Sequence, residues 1–134
     1  MGVWGYEAFE NDYALDWVSE LENNEDVVFI IKQFERILNC NQDDYLDIFE
    51  ASITIAAAEV VAALLGNPSP DLPQEVIIWL TKKRQKQLSP TVVEKASNAV
   101  QRVLNNSELR EVWQESDEYD TWSNSVNNLL ARLG

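Results

Sequence analysis

The chain has 134 residues, 46% of them hydrophobic and 10% aromatic, enough apolar material for one domain with its own core and too much for an intrinsically disordered chain. Its formal net charge is -13, from 23 acidic and 10 basic side chains with no histidine, which disfavours nucleic acid and anionic membranes as partners and favours basic ones. A single cysteine, Cys40, excludes an internal disulfide; without histidine it also excludes a zinc centre of the Cys/His kind, and the commonest general base is missing.

The opening "MGVWGYEAFENDYALDW" has acids where a secretory leader would need an apolar run, so no such leader is expected. Gly2 and Gly5 are free to adopt turns that other residues resist, tucking Trp4 and Phe9 against an apolar surface. Asn11 or Asp12 then caps a first helix, along which Ala14, Trp17, Val18 and Leu21 recur at helical spacing. Gly2, Trp4, Gly5, Phe9, Asn11 and Asp12 thus read as one structural motif, a plug closing one end of a bundle. The competing reading opens the glycine amides to an anion, which Glu7, Glu10 and Asp12 would repel.

A second helix is expected from about Asp26 to Asn39, with Val27, Ile30, Ile31, Phe34, Ile37 and Leu38 as its apolar stripe. "VVFII" also has the look of a short buried strand, but the helical period of the longer segment decides. From Asp43 to Leu65 a long third helix is predicted, with Leu46, Phe49, Ile53, Ala56, Val60 and Leu64 inward and Gly66 as its C-terminal cap. Its alanines would let neighbours approach closely, which makes it the candidate central helix.

Two candidate sites lie on this segment. Asp43, Asp44, Asp47 and Glu50 fall at steps of three and four, so a shared helix face can either hold a hard cation such as calcium or magnesium or simply face solvent. Glu59 sits among alanines and valines; if buried it needs a partner such as Arg102, Arg110 or Arg132, because an unpaired buried charge is very costly. Such a carboxylate can also have a raised pKa and serve as a general base.

"GNPSPDLP", residues 66–73, is a proline-rich linker between helices. Pro73 opens a fourth helix with Val76, Ile77, Trp79 and Leu80 inward, ended by the basic run Lys82, Lys83, Arg84 and Lys86. Ser89-Pro90 starts a fifth, carried by Val93, Ala96, Val100, Val103 and Leu104. Ser107 caps a short sixth with Leu109, Val112 and Trp113. The last runs from near Asp117 to Leu133 with Trp122, Val126, Leu129 and Leu133 in register. The prediction is an all-α, single compact bundle of six to seven helices around a long central helix, one domain over residues 1–134. The apolar run at 51–66 is shorter than the roughly 20 residues of a membrane span and is broken by Glu59.

The opening segment, together with "AAAEVVAALLGNP" and "NSELREVW", resembles the bacterial family catalogued as domain of unknown function 4259. That resemblance implies an all-helical cytosolic protein and carries over no catalytic residue. Charge is unevenly placed: residues 1–60 hold 14 acids and 2 bases, residues 61–134 hold 9 acids and 8 bases. With no catalytic set, no cofactor and no metal expected, the leading expectation is a non-enzymatic, cytoplasmic interaction module that binds a protein with a basic surface, as an inhibitor or immunity protein does. The alternatives are an acidic mimic of nucleic acid and a metal-dependent hydrolase built on the carboxylate cluster or Glu59.

Overall fold

The computed structural model describes residues 5, 7–24, 27–40, 44–83 and 88–134. Among them the chain forms seven α-helices and no strand: α1 (Asp12–Glu22), α2 (Val28–Leu38), α3 (Ile48–Leu64), α4 (Gln74–Lys83), α5 (Pro90–Asn105), α6 (Glu108–Gln114) and α7 (Tyr119–Leu133). Gly2, Trp4 and Asp43 lie outside the described residues, as do Arg84 and Lys86 of the basic run.

The hub is α3. Every residue from Ala51 to Ala62 is buried, so this stretch of the helix has no solvent face, and a helical segment covered all round must be surrounded. It packs against each of the other six helices. Ala51, Ala56, Ala57, Ala58 and Ala62 are fully covered, their short side chains letting neighbouring axes come near. The inward stripe predicted along this segment is therefore too narrow. Its start is also later than predicted, because Asp47 is extended (φ -73°, ψ 164°) and its carboxylate accepts a hydrogen bond from the Glu50 amide at 2.8 Å. Leu46 is buried from the preceding loop, and Phe49, predicted inward, is 46% exposed with its ring edge-on to Tyr13.

Local sequence sets the other boundaries. Asn11, rather than Asp12, caps α1, its side-chain oxygen accepting from the Ala14 amide at 2.7 Å. Ser89 and Ser107 cap α5 and α6 in the same way, with Pro90 in the first turn of α5. Gly66 ends α3 at φ 92°; its amide and that of Asn67 donate to Ala63 and Ala62, a Schellman closure that needs the left-handed conformation. "VVFII" is helical, with the Ile31 amide donating to Val27, and α2 buries Ile30, Gln33, Phe34 and Ile37. In α4, Val76 and Trp79 are buried, and the Trp79 indole donates to the Asn24 carbonyl beyond the end of α1. Ile77, predicted inward, is instead exposed, because α4 is flanked by α1 and α3 and leaves that side uncovered. The predicted α7 stripe, Trp122, Val126, Leu129 and Leu133, is buried throughout. No helix among the described residues is long and apolar enough to cross a membrane.

Candidate functional site

Glu59 projects from the middle of α3 and is buried, and its partner is Arg132 near the end of α7. The pair is bidentate: Arg132 Nη1 reaches Oε1 at 2.7 Å and Nη2 reaches Oε2 at 2.9 Å. Arg132 Nε donates to Asn128 Oδ1 at 2.7 Å, and the Asn67 side-chain amide donates to the Arg132 carbonyl at 3.0 Å. The hydrogen bonds to Glu59 hold the guanidinium above its ordinary pKa; burial works against them, and the charges of Glu59 and Glu7 add to the rise. Both carboxylate oxygens of Glu59 thus face a fixed cation, an arrangement that clamps α3 to α7. Of the other arginines considered for this role, Arg110 donates to the Leu104 carbonyl at 2.7 Å and Arg102 to the Asp44 carbonyl at 2.6 Å.

The acids at 44–50 do not share a helix face. Asp44 lies in the loop before α3, Asp47 is its N-cap, and only Glu50 is within the helix. Glu50 accepts from Gln33 Nε2 at 3.0 Å and pairs with Arg36 at 3.3 Å. A further acid joins from far along the chain: Glu108 Oε1 accepts from the Ile48 amide at 2.8 Å, while the Glu108 amide donates to the Leu46 carbonyl. These carboxylates serve the positive end of α3 and tie α2 and α6 to it. Among the described residues no group of three or more Asp, Glu or Cys side chains is placed to hold a metal ion.

The described part of the N-terminal motif is a tight turn. The Gly5 amide donates to the Glu10 carbonyl, the Glu10 amide to the Glu7 carbonyl, and the Glu7 amide to Glu10 Oε1 at 3.3 Å. The Glu10 carboxylate lies so close over Gly5 that a Cβ there would sit 2.5 Å from it. The Glu7 amide, a donor that an anion would need, is therefore already turned to an internal carboxylate. Phe9 is buried behind this turn.

Beyond the turn, the outward side of α1 carries Asp12, Asp16 and Glu20 at successive four-residue steps, all exposed, with Glu22 beside them and Leu15 38% exposed among them. Among the described residues three ion pairs form, Arg36–Glu50, Lys95–Glu35 and Arg132–Glu59. Each ties two helices together and none involves α1. Leu15 also lines a groove of about 430 Å³ with Phe9, Pro73 and the acids Glu7, Glu10 and Asp71. A second groove, about 390 Å³, runs from Glu7 and Asp71 to Asn124, Asn128 and Arg132. The sequence reading missed the α1 row, although its signal is plain: acids at i, i+4 and i+8 with no Lys or Arg in the helix. It also missed Glu108, for which no local signal exists.

The family model for the domain of unknown function DUF4259 matches residues 2–125, and the chain belongs to that family. No curated protein and no solved structure matches it.

Proposed function

We propose that this DUF4259 protein is a non-enzymatic interaction module whose acidic N-terminal side docks on a basic protein, in the manner of an inhibitor or immunity protein; a cytoplasmic setting is part of the proposal, in keeping with its single cysteine. The observation that carries it is the α1 row. Like charges at i and i+4 destabilise a helix, and a face that merely meets solvent usually intersperses both signs. Asp12, Asp16 and Glu20 have neither cation between them nor an ion pair across to another element among the described residues. With 23 acidic against 10 basic side chains in the chain, the outward field is dominated by carboxylates.

The row spans about 12 Å at 1.5 Å per residue. That extent, with an apolar Leu15 inside it, suits a compact protein patch better than the long track of a nucleic-acid backbone. The test is affinity capture from a lysate of the source cell at low salt, with the wild-type chain and the Asp12→Lys/Asp16→Lys/Glu20→Lys variant as baits. The wild type is expected to retain one or more basic proteins, released by about 0.5 M salt as surface charges are screened, and the variant to lose them. Retention unchanged in the variant, or no basic protein retained by either bait, would overturn the reading.

A further inference from the structure

Three grooves meet at one residue. Ser69, in the linker between α3 and α4, lines both acidic grooves described above and also a third of about 350 Å³, whose other walls include Pro68, Pro70, Leu72, Ile77 and Leu80. The third groove is apolar, and Ile77, 48% exposed, forms part of its wall. Its floor is preformed, since prolines at 68, 70 and 73 restrict the linker backbone and the Asp71 amide donates to Ser69 Oγ at 3.2 Å. A preformed groove loses little freedom on binding.

The charge around Ser69 specifies what the apolar groove suits. On one side stand Glu7, Glu10 and Asp71; among the described residues the one cation lining these grooves, Arg132, is bound bidentately to Glu59. We infer that the junction at Ser69 is the specificity pocket of the interface, taking an apolar side chain of the basic partner between the linker and α4 and an adjacent Lys or Arg between Glu7, Glu10 and Asp71. Leu15 joins the α1 row to the same acidic groove, so row and pocket form one continuous surface. The row would supply long-range attraction and the pocket the discrimination among basic partners. This inference rests on the proposed function, and its test separates the two.

The probes are three synthetic hexapeptides, alternating Leu–Arg, alternating Gly–Arg and alternating Leu–Glu, titrated at low salt into the isotopically labelled full chain and followed by amide chemical shifts. The Leu–Arg peptide is expected to shift Ser69, Asp71, Leu72 and Ile77 together with the α1 amides, and to bind about tenfold more tightly than Gly–Arg, the gain expected from burying one branched aliphatic side chain. Gly–Arg should shift the α1 amides and Asp71 but neither Leu72 nor Ile77, and Leu–Glu nothing. Ile77→Ser and Asp71→Asn change exposed side chains: the first should remove the advantage of Leu–Arg, the second should weaken both cationic peptides, and neither should alter the helical circular dichroism. Equal affinity for Leu–Arg and Gly–Arg, or shifts confined to α1, would sink the pocket and leave the acidic docking face standing. No shift with either cationic peptide would sink both.

Discussion

At the scale of single residues, the most consequential pair is Glu59 with Arg132. The two ends of the pair are not equally buried: the Glu59 side chain is 5% exposed and that of Arg132 19%. Removing Arg132 strands a carboxylate in the centre of the bundle, whereas removing Glu59 leaves a long guanidinium stem that can turn outward to water. Arg132→Ala is therefore expected to cost about 3–5 kcal/mol in urea unfolding, and Glu59→Ala less. Replacing both residues with Leu should recover most of the loss, because two apolar side chains leave no orphaned charge. A double variant as unstable as Arg132→Ala would show that the clamp does more than neutralise a buried acid. The basic end of the pair stays charged at all ordinary pH values, since Glu59 holds the Arg132 guanidinium above its usual range; stability from that shift would be lost only as pH rises through a value beyond where the fold is useful.

At the scale of elements, α3 and α1 make opposite demands. The central helix is enclosed on every side from Ala51 to Ala62, and Ala57 has no exposed surface. Ala57→Leu should cost at least about 1–3 kcal/mol by overpacking, whereas Ile78→Ser, at a half-exposed site on α4, should change stability by less than about 0.5 kcal/mol. Thermal unfolding of both variants tests whether α3 is the hub. On α1 the expectation is reversed in sign. Relieving two like-charged i,i+4 contacts by reversing only the middle acid, Asp16→Lys, should stabilise the free protein by about 0.4–1 kcal/mol while weakening partner capture. A destabilised Asp16→Lys protein would mean that the row supports the fold and is not held in reserve for a partner. The boundaries of both helices follow from their neighbours in sequence: Asn11 caps α1, and Gly66 closes α3 with a conformation other residues resist.

For the whole molecule the governing quantity is the net charge of -13. Self-repulsion among exposed carboxylates opposes compaction, and salt screens it. Raising ionic strength from about 0.01 M to 0.1 M shortens the screening length from about 30 Å to about 10 Å, so the midpoint of thermal unfolding should rise over that range. An unchanged or falling midpoint would mean that the acids are balanced locally, contrary to the distribution described here. Association with a basic partner should move the other way, weakening as salt rises. Opposite salt responses of folding and binding are the signature expected of a surface whose charge serves recognition.

The all-α bundle of six to seven helices, the caps at Asn11, Gly66, Ser89 and Ser107, and most of the buried stripes were legible in the sequence because each depends on residues within a turn or two of one another: Asn11 with Ala14, Ser89 with Val92, the four-residue recurrence of Trp122, Val126, Leu129 and Leu133. The sequence also determined the sign of the surface and the absence of histidine chemistry. Tertiary structure alone decided which arginine, 73 residues away, answers Glu59, that the acids at 44–50 cap and brace α3 where a shared face was expected, and that three grooves converge on Ser69. Such outcomes depend on which helix faces come together, and the free energy that brings them together is apolar burial. Burial is indifferent to which polar groups it juxtaposes, so their pairing is set by geometry that no short stretch of chain encodes.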